Sequence, residues 1–333
     1  MLSQVVELIE NKQKFAITTH VRPDGDGVGS SLGLCWLLRS LGKTAEVIVS
    51  GRVPAAYSSL PGADEIRRVE KIDGDYDAVF VIECSDVERP CIAGLDGQFT
   101  VNIDHHATSE HFGSINWIDS TASAVGEMIY NLCKAIGGRI TREIAECVYM
   151  ALVTDTGSFH FPNTTERTFK VASELIKAGV KPAQISEAVY NNYPWSRIEL
   201  MRQVIATVKR DQSGRVAWLR QTLAMKEDAG AVDGDNNGFV NIPLAARDVL
   251  AVVYMREVGE NEFRVSLRSK GCINVARVAE AFGGGGHRNA SGLRIEGDWD
   301  AKEQEIVDAV LAAVDKAAED FHPAENGDYH NQG

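Results

Sequence analysis

The sequence predicts an α/β fold with a doubly wound, mostly parallel sheet, followed by a second, smaller α/β domain. Two apolar runs, Ala78–Ile82 and Phe99–Ile103, have the near-continuous hydrophobicity of strands that are buried on both faces. Helical patterns alternate with such runs through the first half of the chain, which is typical of a parallel sheet. The length of 333 residues also corresponds to two ordinary domains.

The first domain is predicted to span residues 1–190. Its strand segments are short and apolar, and its helical segments repeat apolar residues at helical spacing. In chain order, the predicted elements are strand Phe15–Thr19, helix Gly29–Leu41, strands Thr44–Ser50, Ala78–Ile82 and Phe99–Ile103, and helices Ser123–Ile136, Thr141–Val153 and Glu166–Ala178.

A change of pattern marks the second domain. Residues 191–210 have a helical pattern and are predicted to link the domains, and residues 211–318 are predicted to form the second one. Residues 319–333 contain four acidic residues and no Lys or Arg, so we expect a disordered tail. The predicted elements of this domain are strands Gly214–Arg220, Val249–Val258 and Glu262–Arg268 and helices Val275–Phe282 and Ala301–Ala318.

The charge balance restricts the class of partner. With 47 acidic and 34 basic residues, the net charge is −13, which argues against nonspecific binding to long duplex nucleic acid. No apolar stretch approaches the roughly 20 residues of a transmembrane helix, and we see no signal peptide. The six cysteines form no CxxC pair, so we expect reduced thiols, a cytoplasmic location and no membrane partner.

Side chains that can bind metal follow four separate apolar segments. Because ligands bind beyond the carboxyl ends of strands in open α/β sheets, these side chains are expected to meet in one crevice. Carboxylates and imidazoles without thiolates suit Mn²⁺, Mg²⁺, Co²⁺ or Fe²⁺ better than a structural zinc. The candidates are His20, Asp24 and Asp26 after the first strand, then Glu83, then Asp104, His105 and His106, and finally Asp155.

Each of these motifs has an ordinary structural explanation when it is taken alone. Asp24-Gly25-Asp26-Gly27 resembles a turn, in which Gly25 and Gly27 would permit a tight backbone path. A single His at the end of a strand is usually structural. The joint occurrence of all four motifs instead favours a centre for two metal ions, which can activate water and stabilise a phosphoryl group.

The combined motifs resemble the DHH phosphoesterase superfamily, and the resemblance covers roughly residues 5–318. The closest subgroup is the bifunctional oligoribonucleases (nanoRNases) that also act as phosphatases of 3′-phosphoadenosine-5′-phosphate (pAp). The matching segments are His20–Gly27, Asp104–His106 and Thr154–Gly157 for the catalytic domain, and Asn237–Val240, Ser266–Ser269 and Phe282–His287 for the DHH-associated domain.

The resemblance implies a cleft between a metal-binding catalytic domain and a substrate-binding domain. It also implies two divalent cations, with Mn²⁺ expected and Mg²⁺ or Co²⁺ as alternatives. His106 would contact the scissile phosphate and steady the leaving oxygen, while Asp104 would orient the neighbouring imidazoles. The implied metal ligands are His20, Asp24 and Asp155 for one ion, Asp26 and His105 for the other, and Glu83 as a bridge.

One position departs from the family pattern. The family usually has Asp where this chain has Glu83, and the longer side chain changes both reach and metal spacing. Asp86, three residues later, is an alternative ligand. Glu83 is also the feature that favours a different class of function, a catalytically weak nucleotide-binding protein.

The second domain carries a glycine-rich segment, Gly283, Gly284, Gly285 and Gly286, followed by His287 and Arg288. Consecutive backbone N–H groups of this kind suit a phosphate. The alternative explanation is a flexible loop. Arg268, beside Ser269, and Arg288 are the predicted phosphate ligands, because guanidinium binds phosphate in a bidentate manner.

The predicted activity is a two-metal phosphoesterase that hydrolyses short oligoribonucleotides to mononucleotides and dephosphorylates pAp. The enzyme alternative is a phosphodiesterase of cyclic or linear dinucleotides. An inorganic pyrophosphatase ranks lower, because it would lack the Gly283–His287 domain. The expected partners are short RNA or a small nucleotide, and a homodimer follows only from the resemblance.

Overall fold

The structure, a computed structural model, describes residues 1–320 and divides into two compact units, Met1–Asn192 and Tyr193–Gly333. The predicted tail, residues 319–333, therefore lies outside the described residues, except for the two positions that end the last helix. None of the helices in residues 1–320 combines the length and the hydrophobicity that a transmembrane segment requires.

A six-stranded parallel sheet organises the first unit, as the sequence predicts. The strand order is β3-β2-β1-β4-β5-β6. Strands are therefore added on one side of β1 up to β3 and on its other side from β4 onward, so the strand order reverses between β1 and β4. Ligand sites of doubly wound sheets lie at such a reversal, beyond the carboxyl ends of the strands. The strands are β1 (Lys14–Thr19), β2 (Thr44–Val49), β3 (Arg67–Arg68), β4 (Ala78–Ile82), β5 (Thr100–Asp104) and β6 (Ile115–Ile118).

Helix α2 is the central helix of this unit and packs closely against α4. Its apolar residues, such as Leu32 and Leu38, are almost fully buried. The close approach needs small residues, because a Cβ at Gly29 would lie 2.5 Å from the carbonyl oxygen of Cys147. The helices are α1 (Leu2–Asn11), α2 (Gly25–Ser40), α3 (Val125–Ala135), α4 (Arg142–Asp155), α5 (Glu166–Lys177) and α6 (Pro182–Tyr190).

The second unit contains a mixed six-stranded sheet in the order β11-β12-β10-β9-β8-β7. Its strand pairs are antiparallel except for β8 with β9, which is parallel. The strands are β7 (Lys209–Arg210), β8 (Val216–Gln221), β9 (Ala251–Gly259), β10 (Glu262–Ser269), β11 (Gly285–His287) and β12 (Ala290–Glu296), and the helices are α7 (Trp195–Ile205), α8 (Leu223–Asp228), α9 (Asn241–Leu244), α10 (Val275–Ala281) and α11 (Trp299–Asp320).

Helices cover the two faces of this sheet to different extents. On one face, α10 and α11 pack through residues such as Val275 and Val310 against Val265 and Leu267. On the other face, α7 packs through Leu200 and Val204, so the predicted linker segment contains a helix that is part of the second unit's own core.

Candidate metal centre

The predicted metal ligands converge at the carboxyl edge of the parallel sheet. His20 follows β1 and Glu83 follows β4, and these strands are neighbours at the reversal of strand order. Asp104 ends β5, and Asp155 ends α4. Three groups of ligand atoms lie within 4.8 Å of one another: His20–Asp24–Glu83, Asp26–His105–Asp155 and Glu83–His105–His106.

The first group centres on Glu83. Its Oε2 lies 2.8 Å from Nε2 of His20, which is also 3.8 Å from Oδ1 of Asp24. Both the imidazole Nε2 and the carboxylate Oε2 are buried, and within residues 1–320 neither of them makes a hydrogen bond. Unpartnered buried polar atoms are costly, so this pair fits a cation placed between them.

The structure places Glu83, rather than Asp86, among the ligand groups. Glu83 has the left-handed backbone conformation (φ 58°), which is uncommon outside glycine and points to a functional constraint. Asp86 instead uses its Oδ1 to accept hydrogen bonds from the backbone N–H groups of Glu88 and Arg89, both at 3.0 Å. Asp86 therefore stabilises the loop that follows β4.

The second group contains Asp26, His105 and Asp155. Nε2 of His105 lies 3.8 Å from Oδ2 of Asp26 and 3.6 Å from Oδ2 of Asp155. The family resemblance assigns Asp155 to the ion of His20 and Asp24, whereas in the structure its carboxylate groups with Asp26 and His105. Asp155 is the last residue of α4, and its carboxylate lies beside His105.

The Asp-Gly-Asp-Gly segment is the first turn of α2 and not a tight loop. Asp24 is the N-cap residue, and its Oδ1 accepts a hydrogen bond of 2.9 Å from the backbone N–H of Gly27. Neither glycine has a positive φ. Glycine is needed for space, since a Cβ would lie 2.4 Å from the Thr154 side chain at Gly25 and 2.5 Å from Thr19 Oγ1 at Gly27.

Asp26 is held between the amino ends of two helices. It lies in the first turn of α2, where its Oδ1 also accepts from the Ser30 hydroxyl at 2.7 Å. At the start of α3, the backbone N–H groups of Val125 and Gly126 donate to the same carboxylate at 2.7 and 3.0 Å. Helix amino ends favour negative charge, so the fold keeps a buried carboxylate in place.

His106 is oriented by Asp104. Oδ1 of Asp104 accepts hydrogen bonds from Nδ1 of His106 and from the backbone N–H of His105, both at 2.8 Å. Although burial opposes it, the His106 bond keeps the pKa of Asp104 below its usual value. The other ring nitrogen of His106, Nε2, lies 3.9 Å from Glu83 Oε1 and so faces the ligand groups.

The electrostatics of the cluster also fit divalent cations. Burial, reinforced by the charges of neighbouring acids, raises the pKa of Asp155 to about 7 and that of Glu83 well above its usual value. Burial opposes protonation of His20, but the neighbouring carboxylates of Asp24 and Glu83 raise its pKa to about 9. Acids crowded in this way repel one another, and cations would relieve that repulsion.

The sequence did not indicate that the loop before α3 helps to position His105 and Asp155. The carbonyl oxygen of Ala122 lies 3.1 Å from Nδ1 of His105, so the ring can direct Nε2 at the ligand groups. The Asn163 amide donates both to the carbonyl oxygen of Ser123, at 2.9 Å, and to Asp155 Oδ2, at 3.2 Å. The loop before α3 therefore connects His105 with Asp155.

Glu127 holds the loop before α3 in place through hydrogen bonds from Ser123. Its carboxylate is fully buried, and Oε2 accepts from the backbone N–H and the hydroxyl of Ser123, at 3.1 and 2.7 Å. Oε1 pairs with Arg167 on α5, whose guanidinium also donates to the carbonyl oxygen of Thr121. Glu127 was not among the predicted residues; the signal that could have identified it is an acidic residue within the apolar start of a helix.

We expect Glu127→Gln to weaken Mn²⁺ binding about tenfold, because partners of metal ligands typically contribute that much. The substitution removes the charge that pairs with Arg167, and so loosens the loop that orients His105. Isothermal titration calorimetry measures the affinity. Glu146→Gln is the matched control, because Glu146 pairs with Arg142 along α4 at 2.7 Å. Equal Mn²⁺ affinities of Glu127→Gln and wild type would contradict the assignment.

The glycine-rich segment of the second unit differs from the predicted phosphate nest. The N–H groups of Gly283 and Gly284 donate to the carbonyl oxygens of Glu280 and Ala279 and so end α10. Gly285 and the two residues after it form β11, which pairs with β12. The N–H groups of Gly283 and Gly284 are therefore engaged within the fold, whereas Gly285 and Gly286 lie in the edge strand of the sheet.

The other predicted substrate ligands of this unit have different surroundings. Arg268 is half-buried and donates to the carbonyl oxygen of Leu267 at 2.9 Å. Ser269 is buried, and its hydroxyl donates to the carbonyl oxygen of Ile273. Arg288 is exposed and donates twice to the carbonyl oxygen of Cys272. His287, at the end of β11, is exposed.

Comparisons with known proteins find matches in both units of the chain. The N-terminal domain of the DHH family matches residues 14–152, and the DHHA1 domain matches residues 220–320. A bifunctional oligoribonuclease and PAP phosphatase NrnA of Thermus thermophilus is 34% identical, over 95% of this chain and 94% of that protein. The protein of the same description from Bacillus subtilis is 29% identical, over 92% and 97%.

A solved structure extends the similarity to the fold. An exopolyphosphatase-related protein from Bacteroides fragilis is 30% identical and superposes with a TM-score of 0.85, covering 95% of both chains. The predicted fold class and the predicted family are thus both confirmed. From its two matched domains and its full-length relatives, this chain belongs to the DHH family of phosphoesterases.

Proposed function

We propose that this protein is a two-metal phosphoesterase that hydrolyses short oligoribonucleotides to mononucleotides and dephosphorylates pAp. The observation that carries the proposal is the pair of ligand groups, His20–Asp24–Glu83 and Asp26–His105–Asp155, beside an imidazole that Asp104 orients. The substrate assignment is supported by the full-length relatives that are named as oligoribonucleases and PAP phosphatases.

Divalent cations fit the donor set, which consists of carboxylates and imidazoles. We propose Mn²⁺, with Mg²⁺ and Co²⁺ as alternatives. When bound, two such ions would lower the pKa of water and stabilise the charge of the reacting phosphoryl group. The chain's part is to hold the ions at fixed places, which buried groups such as Asp26 and Glu83 do without rearrangement.

His106 is proposed to contact the scissile phosphate. Its Nδ1 is bonded to Asp104, so the proton at Nδ1 is held and Nε2 is directed at the ligand groups. From there the ring can steady the leaving oxygen by a hydrogen bond. Residues of the second unit, namely Arg268, Ser269, Gly283–Gly286, His287 and Arg288, are proposed to bind the rest of the substrate, with the exposed Arg288 and His287 and the half-buried Arg268 best suited to do so.

Metal binding should be visible as a gain of thermal stability. At Mn²⁺ concentrations about 100-fold above its Kd, we expect a gain of about 2.7 kcal/mol, or roughly 5–10 °C in Tm, because the ion neutralises crowded acids. Differential scanning calorimetry with and without Mn²⁺ measures the shift, and EDTA should reverse it. NaCl at equal ionic strength is the control. An unchanged Tm would contradict the metal centre.

The function itself is tested by product analysis. Purified protein with Mn²⁺ is given a 5′-labelled RNA ladder of two to about twenty-four nucleotides, pAp and a cyclic dinucleotide. We expect mononucleotide release from the shortest RNAs, together with pAp turnover. Both activities should be lost in His105→Ala and kept in His111→Ala, whose imidazole is exposed outside the ligand groups.

Two results would redirect the assignment. Turnover of the cyclic dinucleotide alone would make the protein a phosphodiesterase of signalling nucleotides. Metal binding without turnover of any substrate would contradict enzymatic activity and favour a nucleotide-binding role.

A further inference from the structure

The loop that follows α4 begins and ends at the candidate metal ligand Asp155. Asp155 is the last residue of α4, and the side-chain amide of Asn163 donates both to its carbonyl oxygen, at 3.1 Å, and to its Oδ2, at 3.2 Å. Residues 156–163 therefore form a closed loop beside one of the ligand groups. We call this segment the Asp155 loop.

The Asp155 loop contains a left-handed turn. Gly157, Ser158 and Phe159 have φ values of 55°, 59° and 65°. This conformation is uncommon for Ser and strained for a bulky residue such as Phe, and strain of this kind is found mainly at functional sites. The carbonyl oxygen of Thr156 closes the turn, because it accepts hydrogen bonds from the backbone N–H groups of residues 160 and 161, both at 2.9 Å.

Side chains of the turn anchor it to the first unit. Phe159 packs against the core of that unit, and its ring stacks on Phe169 with the centroids 5.3 Å apart and the planes 24° apart. The hydroxyl of Ser158 donates to the hydroxyl of Tyr190 at 2.9 Å. The turn is therefore held on both sides, and it gives the two residues that follow it a defined place.

Those two residues are exposed aromatic rings. Phe161 is 50% exposed, although its distal edge packs against Gly157, where an added Cβ would lie 2.6 Å from Cζ of the ring. His160 is also exposed, and its ring centroid lies 6.1 Å from that of Phe161. We call Phe161 and His160 the aromatic platform.

The aromatic platform lies close to the candidate metal centre. Phe161 is two residues from Asn163, so their Cα atoms are at most about 7 Å apart, and the Asn163 amide contacts Asp155 Oδ2. In a nucleotide, only the ribose separates the base from the phosphate. Exposed aromatic rings bind bases by stacking, and they do so with little preference because every base has a π-face.

We propose that the aromatic platform stacks on the base of the substrate nucleotide whose phosphate is at the metal centre, with Phe161 as the main contact. The platform then favours nucleotides over phosphate esters that lack a base, and it discriminates little among the bases. This inference rests on the proposed function, because the ligand is the proposed substrate.

The first test measures binding without turnover. The probe is 2-aminopurine riboside 5′-monophosphate, a fluorescent analogue of the proposed mononucleotide product, whose emission is quenched when the base stacks. Full-length protein with Mg²⁺ should quench the probe. We expect Phe161→Leu to bind it about tenfold more weakly and to lose the quenching at saturation, whereas Phe161→Trp should keep both.

The second test compares two substrates that differ only in the base. With Mn²⁺, we expect Phe161→Leu to raise KM for pAp about tenfold and to leave kcat within about twofold of wild type. For 1-deoxyribose 3′,5′-bisphosphate, which is pAp without adenine, both constants should stay unchanged. Leu keeps an apolar contact with Gly157, so Tm should not fall.

Phe99→Leu is the matched control. Phe99 is 44% exposed, and it directly precedes β5, at the end of the strand opposite the Asp104 end where the ligand groups lie. This variant should quench the probe and turn over pAp like wild type.

The possible results separate this inference from the proposed function. Equal effects of Phe161→Leu on pAp and on its base-free analogue would overturn stacking, because Phe161 would then only shape the loop around Asp155. Wild-type quenching by Phe161→Leu, or no quenching by a wild type that turns over pAp, would overturn the platform alone. Quenching that depends on Phe161, without turnover of any substrate by wild type, would support the platform and overturn the proposed function.

Discussion

Glu83→Gln is expected to lower kcat for short RNA by about a thousandfold, equivalent to about 4 kcal/mol of transition-state stabilisation. Glu83 belongs to two of the three ligand groups, one with His20 and Asp24 and one with His105 and His106. Gln has the same shape but no charge, and its amide N–H would face the cation. The protein should therefore fold normally, and the stabilisation by Mn²⁺ should be lost.

Two substitutions control this experiment. Glu83→Asp keeps the charge and shortens the side chain, so it should retain part of the Mn²⁺-dependent shift in Tm. Asp86→Asn removes a charge three residues away, where the carboxylate accepts hydrogen bonds from loop N–H groups. We expect Asp86→Asn to change kcat less than about threefold, because Asp86 lies outside the ligand groups.

Measurements of kcat and of Mn²⁺ binding by calorimetry, on the same preparations, decide whether Glu83 or Asp86 is the metal ligand. Wild-type Mn²⁺ binding by Glu83→Gln would exclude Glu83 as a ligand. Loss of Mn²⁺ binding in Asp86→Asn would identify Asp86 as the ligand instead and would require a different loop conformation after β4.

Gly29→Ala is expected to lower the free energy of unfolding by about 2–3 kcal/mol, because the overpacked contact involves backbone. The added Cβ would lie 2.5 Å from the carbonyl oxygen of Cys147 and 3.1 Å from the backbone nitrogen of Ala151. Helix α2 must then move away from α4. Because Asp26 lies in the first turn of α2 and Asp155 ends α4, the same movement should also weaken Mn²⁺ binding.

Gly33→Ala is the matched control on the same helix. Its added Cβ would meet Cγ2 of Val148 at 3.2 Å, and a side chain can shift where a backbone carbonyl cannot. Both variants gain about 1 kcal/mol of helix propensity, so the difference between them isolates the close approach. Urea unfolding of each variant gives the comparison. Equal stabilities of the two variants would show that the α2–α4 contact tolerates a methyl group at Gly29.

Hydrophobic patterning predicted the parallel sheet well, because strands buried on both faces are apolar throughout. Ala78–Ile82 forms β4 with the predicted bounds, and the predicted Phe99–Ile103 differs from β5 by one residue at each end. Short or exposed elements were missed. β3 has two exposed arginines, and β11 consists of two glycines and a histidine, so neither carries a hydrophobic pattern.

The residue types of the candidate centre could also be predicted from the sequence, since carboxylates and imidazoles follow strands that end at one sheet edge. Their local conformations could not. The Asp24–Gly27 segment looked like a turn, yet it begins a helix, because the Asp24 carboxylate caps the N–H of Gly27. The glycine segment looked like a phosphate nest, yet its first N–H groups end α10.

The sequence by itself determined the fold class, the family and the set of residues from which a metal centre can be built. Only the tertiary structure decided how those residues group and what orients them. The N–H of Val125 reaches Asp26 across 99 positions, and Glu127 pairs with Arg167 between two helices. Such contacts depend on packing between distant segments, which leaves no periodic trace in either segment.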